Sequence, residues 1–345
     1  MDKDLFVEGE ILLATIRDVA RLANVSVATV SRVINQNGYV HKDTESKVRK
    51  SMELLNYKPN SVARALANKR TDSLALIVPD ITNPFFPELA KAIEDTARGF
   101  GYSLILTSPE FNADSNNNYL ENLINRYIDG IICSSSEIPE ADITQLQKVG
   151  IPIVALDRAV NSKGITSISV NNYDGGMKAT QHLLSIGCKR IAHISGPLHV
   201  NTSLARYRGY VDTLDSAQLF DPSLIREGDF TIESGINNTY ALLEKHPDID
   251  GIFTANDLMA VGALKALIRL EKRIPEDIAL IGFDGISLGT AVEPEISTIA
   301  QSIYEIGSLA VKKLISQINN KQDTEELSQE LEVQLVQRAT TLRKA

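Results

Sequence analysis

Hydrophobic positions near the N-terminus repeat at helical spacing. Residues 15–37 (TIRDVARLANVSVATVSRVINQN) predict two short helices joined by a tight turn. The apolar face of the first helix comprises Ile16, Val19, Ala20 and Ala23. Asn24 and Val25 break this spacing. Ser26 can then start a second helix by accepting a hydrogen bond from the backbone N–H of residue 28 or 29.

The second helix is predicted to have two different faces. The positions that face the first helix are Val30, Val33 and Ile34. The positions that point outward are Val27, Ala28, Thr29, Ser31 and Arg32. Such a layout is typical of a helix-turn-helix, in which the N-terminal part of the second helix reads base edges in DNA. An ordinary helical hairpin has the same hydrophobic pattern, so the pattern alone leaves both interpretations open.

The charge distribution favours DNA binding. Residues 15–70 carry 11 Lys and Arg against 4 Asp and Glu, a net charge of +7. The rest of the chain carries 24 against 40, a net charge of −16, which together give the formal −9 of the whole. A basic block on an acidic chain is the electrostatic signature of a nucleic-acid-binding head.

A third helix and a linker follow the basic head. Residues 44–56 predict a helix whose exposed lysine and arginine side chains are either a solvated face or phosphate contacts. The next segment, PNSVARALANKRTDS at 59–73, has two interpretations. It is a flexible linker, or it is a hinge that becomes helical on DNA. In the second case Leu66 would insert into a minor-groove base step, with Arg64 as a nearby basic contact.

From residue 73 onward the pattern changes to alternating strands and helices. The predicted strands are 73–79, 102–108, 129–135 and 151–157 in a first set, and 190–196, 251–257 and 278–285 in a second set. Strands that alternate with helices indicate parallel sheets with right-handed crossovers. Two consecutive sets therefore predict two doubly wound lobes. In sheets of this kind a ligand binds at the carboxyl ends of the strands, here in the cleft between the lobes.

Polar side chains lie at the ends of several of the predicted strands or just after them. They are Asp80 with Asn83, Asp157 with Arg158, Asn256 with Asp257, and Asp284. Any one of these side chains is explained as a helix cap or turn residue, but their repetition at one topological position favours a site that binds hydroxyl groups. The adjacent aromatics Phe85 and Phe86 suit stacking on a sugar ring better than core packing. Three further candidates from the second half are Arg206, Phe230 and Gln301.

The sequence lacks the patterns of several other protein classes. It contains neither H-E-x-x-H nor G-x-x-x-x-G-K-[ST], and the five histidines have no metal-ligand spacing. Asp157 and Arg158 resemble a catalytic acid and its partner, but no nucleophile accompanies them. No apolar run of 18 residues is present, and residues 1–14 do not resemble a secretory signal. Cys133 and Cys188 fit small buried residues of a cytoplasmic protein.

The chain resembles the LacI family of bacterial transcription repressors over nearly all of residues 15–345. The residues that carry the resemblance are TVSRVIN at 29–35 and LNYKPNSVARALA at 55–67. The resemblance implies that Val27 and Ala28 read the operator through apolar contacts and that Arg32 contacts a base. The full set of implied DNA-binding residues is Thr15, Ile16, Ser26, Val27, Ala28, Thr29, Ser31, Arg32, Asn35, Asn60, Ala63, Arg64 and Leu66.

The body is similar to the ribose-binding proteins of the bacterial periplasm. The segments that match are NPFF at 83–86, LDR at 156–158, RYRGY at 206–210, AND at 255–257, GFDG at 282–285 and IAQ at 299–301. The implied ligand-binding residues are Asn83, Phe85, Phe86, Asp157, Arg158, Arg206, Phe230, Asn256, Asp284 and Gln301, to which the strand-end pattern adds Asp80.

We therefore expect an α/β protein with a three-helix helix-turn-helix domain and a two-lobed body like that of periplasmic binding proteins. The predicted parts are a tail (1–14), the helix-turn-helix domain (15–59), a hinge (60–72) and the body (73–345). Within the body, lobe one takes about 73–170 and 300–330, and lobe two takes about 171–299 and 331–345.

The two resemblances imply a homodimeric repressor of a ribose utilisation operon, bound to a palindromic operator and controlled by D-ribose or a close relative. We expect no cofactor, no metal, no membrane partner and no enzymatic activity, and a location in the bacterial cytoplasm at the nucleoid. The alternatives are a family member that answers to a purine, a sugar phosphate or a phosphorylated partner protein, and a sugar-binding protein without a regulatory role.

Overall fold

The computed structural model describes residues 14–35, 37–58, 70–109, 119–134, 140–156, 165–319 and 328–342. The chain divides into two compact units, Met1–Thr71 and Asp72–Ala345. The first unit contains the predicted helix-turn-helix, and the second contains the predicted body.

Three helices build the N-terminal unit: α1 (Ile16–Ala23), α2 (Val27–Asn35) and α3 (Lys42–Leu54). Thr15 caps α1 in a reciprocal box with Asp18, which satisfies N–H groups that the helix itself leaves open. Ser26 accepts a hydrogen bond from the N–H of Thr29 at 3.1 Å, which confirms the predicted start of α2. Helix α3 starts two residues before the predicted position 44, because His41 serves as its cap.

The two predicted faces of α2 are confirmed. Val30 and Val33 are buried against α1 and α3, and Ile34 packs against the same cluster. Val27 on the opposite face is 41% exposed, and Ala28 and Arg32 are exposed as well. A small apolar core therefore fixes the three helices and leaves the predicted reading face of α2 open to solvent.

The body alternates strands and helices as predicted. Its strands are β1 (Ser73–Ile77), β2 (Ser103–Thr107), β3 (Gly130–Cys133), β4 (Ile153–Leu156), β5 (Thr166–Val170), β6 (Ile191–Ser195), β7 (Ile225–Glu227), β8 (Gly251–Thr254), β9 (Ala279–Asp284), β10 (Ser297–Ala300), β11 (Gln329–Leu331) and β12 (Gln334–Val336). Its helices are α4 (Phe85–Gly99), α5 (Tyr119–Asn125), α6 (Glu140–Val149), α7 (Asn172–Ser185), α8 (Asn201–Ser216), α9 (Ile232–Lys245), α10 (Asp257–Arg269) and α11 (Ile303–Asn319).

The strands form two sheets, one in each lobe. The strand order is β11-β5-β4-β3-β1-β2 in lobe one and β12-β10-β9-β8-β6-β7 in lobe two. All neighbouring strands run parallel except β10 and β12, which are antiparallel. Nearly every residue of the central strands is buried, because helices cover both faces of such a sheet.

The chain passes between the lobes three times. It leaves lobe one between β5 and α7, returns between β10 and α11, and leaves again between β11 and β12. A further contact between the lobes joins α4 to the turn after β9. There the N–H and the hydroxyl of Ser287 donate to Oε1 of Glu88 at 2.9 and 2.6 Å, and both residues are accessible to solvent.

His193 packs in the core of lobe two. Its side chain is fully buried on β6, and its ring stacks on Phe253 and Tyr210 with centroid distances of 4.6 and 4.9 Å. Burial lowers the pKa of His193 to about 4, so this imidazole stays neutral near neutral pH. Cys133 and Cys188 are buried, as predicted.

Helices α7 and α8 touch through their backbones. A Cβ atom on Gly176 would lie 2.2 Å from the carbonyl oxygen of Arg206, and one on Gly209 would lie 2.2 Å from the carbonyl oxygen of Tyr173. Glycine at both positions therefore allows α8 to lie close enough to α7 to bring Arg206 to its observed place.

A Gly176→Ala substitution is expected to lower the free energy of unfolding of the body by about 1–3 kcal/mol, because the new methyl group overlaps a backbone atom that cannot move alone. Gly99→Ala is the control, since nothing lies within 4 Å of a Cβ at that helical position. Urea unfolding of both variants measures the difference. Equal stability of the two variants would contradict the close approach.

Candidate ligand site and nucleic-acid interface

The predicted DNA-binding residues that the structure describes lie on α2 and at the start of α1. On α2, Asn35 donates to the hydroxyl of Ser31 at 3.2 Å, and the hydroxyls of Ser26 and Thr29 are 2.9 Å apart. Ile16 is half-buried, and its side chain packs against the core of the unit, on the apolar face that the helical spacing predicts. The predicted hinge contacts Asn60, Ala63, Arg64 and Leu66 lie outside the described residues.

A cavity of about 740 Å³ lies between the two lobes of the body. The predicted ligand residues that line it are Asp80, Asn83, Phe85, Phe86, Arg206, Phe230, Asn256, Asp284 and Gln301. The other two predicted residues, Asp157 and Arg158, directly follow β4 and lie outside the described residues. The carboxyl ends of strands from both sheets thus bring together side chains that are up to 221 positions apart in sequence.

Arg206 on α8 is the buried cation of this cavity. Its Nε donates to Oδ1 of Asn172 at 2.8 Å, and its Nη1 donates to the carbonyl oxygen of Ala255 and lies 3.4 Å from Oδ1 of Asp284. The guanidinium carbon lies 3.6 Å from the centroid of the Phe283 ring. Four partners on α7, β9 and the segment after β8 fix the plane of the guanidinium, so it is organised before any ligand arrives.

Asp284 and Gln301 form the polar floor beside Arg206. Nε2 of Gln301 donates to Oδ1 of Asp284 at 2.8 Å, and both side chains are buried. Within the described part of the chain, Oε1 of Gln301 is buried without a hydrogen-bond partner. A buried acceptor of this kind is costly unless a donor reaches it, and a ligand hydroxyl is such a donor.

Two residues of the cavity have backbone angles that are rare outside glycine. Asp284 has φ of 111° and Phe230 has φ of 68°. Nδ2 of Asn256 donates to the carbonyl oxygen of Phe230 at 3.1 Å, while Oδ1 of Asn256 accepts from the N–H of Met259 at 3.0 Å. Asn256 therefore caps α10 and also holds Phe230 in its strained conformation at the cavity wall.

Lobe one contributes an exposed rim and two aromatic rings. Asn83 accepts from the N–H of Phe85 at 3.1 Å, and Asp80 accepts from Thr82. The expectation that both aromatic rings are unsuited to the core is wrong for Phe85, which is 6% exposed and belongs to the main apolar cluster. Phe86 is half-buried, and its ring meets that of Phe85 edge-on at 5.2 Å. Phe86 is thus the more available of the two for stacking.

The sequence did not single out several polar residues that also line the cavity. They are Thr82, Ser134, His199, Asn201, Thr202, Asp229, Thr231 and Glu233. Ser134 directly follows β3, and the others except Thr82 lie in the segments after β6 and β7 or in the first turn of the next helix, so a wider strand-end rule finds them once β7 is recognised as a strand. Among the described residues that line the cavity, four carry a carboxylate (Asp80, Asp229, Glu233 and Asp284) and one, Arg206, carries a guanidinium.

Ser287 lies in a G-x-S-x-G sequence, GISLG at 285–289, which resembles the nucleophile turn of some hydrolases. In the structure it starts a short 3₁₀ helix, Ser287–Thr290, and its hydroxyl donates to Glu88. A hydrolytic serine needs a histidine base at that place, and a carboxylate occupies it here. Among the described residues there is also no group of three side chains suited to a metal ion, and no helix long and apolar enough to cross a membrane.

Fold and site together define a class: DNA-binding regulators in which a helix-turn-helix unit precedes a two-lobed binding body. Comparison with known families agrees with this class. Residues 15–60 match the bacterial regulatory proteins of the lacI family, and residues 71–339 match the periplasmic binding proteins and sugar binding domain of the LacI family. The chain belongs to the LacI family, and it is a DNA-binding transcriptional repressor.

The chain is also similar to individual curated relatives and to solved structures. The chain is 43% identical to the ribose operon repressor of Halalkalibacterium halodurans, over 95% of this chain and 97% of that protein. The structure is similar to that of the lac repressor dimer bound to operator and an anti-inducer, with a TM-score of 0.84, 29% identity and coverage of 96% and 100%. It is also similar to a LacI family regulator from Enterococcus faecium with bound ribose, with a TM-score of 0.71, 31% identity and coverage of 78% and 98%.

Proposed function

We propose that this repressor controls a ribose utilisation operon and that D-ribose, bound between the two lobes, releases it from its operator. The name of the Halalkalibacterium relative and the ribose held by the Enterococcus regulator support this effector. The chemistry of the cavity supports it independently of either comparison.

The observation that carries the proposal is the arrangement of Arg206, Asp284 and Gln301. A sugar hydroxyl both donates and accepts a hydrogen bond. Asp284 and the unpartnered Oε1 of Gln301 offer acceptors, and the guanidinium of Arg206 offers donors, all on one buried surface. Phe86 and Phe230 line the same cavity and add apolar rings for the C–H groups of a sugar ring.

The charge of the cavity favours a neutral sugar over a sugar phosphate. The described lining carries four carboxylates and one guanidinium, which is already engaged by Asp284. A dianionic phosphate would meet net repulsion here, because phosphate sites need several unengaged donors or cations. A purine is the second candidate, since Phe86 and Phe230 could stack on a planar base. A phosphorylated partner protein and a transport role without DNA binding are weaker candidates; the helix-turn-helix argues against the latter.

The proposed mechanism requires two copies of the chain. A homodimer would place two helix-turn-helix heads on the two halves of a palindromic operator. Ribose that changes the angle between the lobes would change the spacing of the two hinges. A 10- to 100-fold change in operator affinity needs about 1.4–2.8 kcal/mol of coupling, which a few altered contacts between lobes supply.

Titration of the repressor on an operator fragment with ribose tests this proposal. We expect ribose to release the fragment, and calorimetry to show tighter binding of ribose than of ribose 5-phosphate or purines. Undiminished DNA binding at saturating ribose would overturn the inducer assignment. Tighter binding of a purine would replace ribose with the second candidate.

A Phe86→Ala variant is expected to lose the thermal shift that ribose gives the wild type, because it removes a stacking face at the cavity. Its operator affinity without sugar should stay within about twofold of the wild type, since the change lies in the body. Phe100→Ala is the matched control, because Phe100 follows the same helix and is 51% exposed. Loss of the ribose-dependent thermal shift in both variants would mean that the Phe86→Ala substitution acts by destabilising the body and not by removing a contact to the ligand.

A further inference from the structure

Asp257 lies behind the cavity rather than in its lining. It is the first residue of α10 and is fully buried. Its Oδ2 accepts hydrogen bonds from the backbone N–H groups of Gly285 at 2.8 Å and Ile286 at 3.0 Å. Its Oδ1 accepts from the hydroxyl of Thr298 at 2.8 Å. Burial of a carboxylate is unfavourable unless hydrogen bonds compensate for it, so a buried aspartate at this position indicates a specific role.

The two backbone donors follow Asp284 directly in sequence. Asp284 and Gly285 both have positive φ, 111° and 82°, so the chain turns here through a conformation that an aspartate rarely adopts. Strain of this kind persists only when surrounding contacts hold it. Two hydrogen bonds from consecutive N–H groups to one carboxylate oxygen are such a restraint.

The surroundings leave Asp257 little freedom to move. A Cβ atom at position 282 would lie 2.2 Å from its Oδ1, so the carboxylate fills the space that the glycine there leaves open. The hydroxyl of Thr298 on the neighbouring strand β10 donates to the same oxygen, Oδ1. The carboxylate therefore connects α10, the end of β9 and β10 at one point, directly behind the residue that faces Arg206 and Gln301.

We propose that Asp257 is a positioning residue for the effector: it holds the turn at 284–286 so that the carboxylate of Asp284 points into the cavity. This inference rests on the proposed function, because the effector that Asp284 would contact is ribose. Asp257 itself touches neither the cavity nor the ligand.

The electrostatic surroundings agree with a carboxylate kept for its geometry. Burial and the neighbouring Asp284 raise the pKa of Asp257, while the hydrogen bonds from Thr298, Ile286 and Gly285 lower it. If this position were needed for packing alone, an apolar side chain of similar size would fill it without the free-energy cost of burying a carboxylate.

Three variants separate positioning from stability. Asp257→Ala removes all three acceptor contacts, Asp257→Asn keeps an acceptor oxygen, and Thr298→Val removes one donor while leaving the bonds to Gly285 and Ile286 in place. Ribose binding is measured by calorimetry, in which the stoichiometry gives the folded fraction separately from the Kd. Hydrogen exchange of the segment 285–287 is measured without ligand.

We expect Asp257→Ala to weaken ribose binding by about tenfold or more, since a displaced binding group loses its interaction with the ligand. Asp257→Asn should fall between this variant and the wild type, and Thr298→Val should stay within about threefold of the wild type. The amides of residues 285 and 286 should exchange faster in Asp257→Ala than in Thr298→Val.

Wild-type Kd values in folded Asp257→Ala and Asp257→Asn would overturn the proposal and leave a role in stability alone. Should Asp257→Ala not fold, Asp257→Asn and Thr298→Val decide between the two roles. If the wild type binds no ribose, the proposed function fails. The exchange measurement then judges the positioning role by itself, and unchanged exchange at residues 285 and 286 overturns it.

Discussion

Replacing Arg206 with methionine is expected to lower the free energy of unfolding of the body by about 3–5 kcal/mol and to abolish effector binding. Methionine keeps much of the volume of the side chain but leaves the carboxylate of Asp284 buried without its cation. It also removes the donors to Asn172 and Ala255. Removal of one partner of a buried ion pair lowers the free energy of unfolding more than replacement of both partners by apolar side chains, because the remaining charge stays buried without a partner.

Arg208→Met is the control, since Arg208 is exposed on the same helix and should tolerate the change. Urea unfolding followed by calorimetry measures both effects. The double variant Arg206→Met with Asp284→Asn should recover part of the lost stability, because the stranded charge is removed; asparagine also tolerates positive φ. An Arg206→Met protein as stable as the Arg208→Met protein would show that the ion pair between Arg206 and Asp284 contributes little to the stability of the body.

Replacing Arg32 with alanine is expected to abolish specific operator binding while leaving ribose binding unchanged. Arg32 is exposed on the outward face of α2, and a bidentate contact from arginine to guanine discriminates by about 1–3 kcal/mol. A dimer loses this contact at both half-sites, so the total is about 2–6 kcal/mol, or roughly thirtyfold or more in affinity.

Gel-shift titrations with operator and with scrambled duplex measure this loss. The expected result is a collapse of the specificity ratio, with weak binding to both duplexes retained through phosphate contacts. Arg98→Ala, an exposed arginine of the body, is the control. An equal loss on operator and on scrambled duplex would assign Arg32 to a phosphate instead of a base.

Most of the fold could be predicted from hydrophobic patterning, and the exceptions have physical reasons. Strand β5 was missed because TSISV alternates apolar with polar residues and contains three hydroxyl side chains, which resembles a loop. Helix α9 was missed because IESGINNTYALLEK contains a glycine and two asparagines, and tertiary packing against α10 overrides their poor helix propensity. The strands that were found are continuous apolar runs, the pattern that a doubly covered parallel sheet requires.

The candidate site could be predicted as a set of positions but not as a geometry. Asn83, Asn256 and Asp284 each lie at or after the carboxyl end of a strand, and that rule needs the sequence alone. The positive φ angles of Phe230 and Asp284 result from tertiary contacts and leave no local pattern. Whether Phe85 packs inward or faces the cavity depends on where α4 begins. That helix begins at Phe85 itself.

The contact between Glu88 and Ser287 has a consequence for how such a repressor can be tuned. Its hydrogen bonds are open to solvent and are worth about 1 kcal/mol, a factor of about five in an equilibrium between two lobe arrangements. That size is comparable to the coupling that links effector to operator. Under the proposed function, substitutions at these two surface positions would therefore change the sugar concentration at which the repressor leaves its operator, while the intrinsic affinities for sugar and for DNA both stay the same.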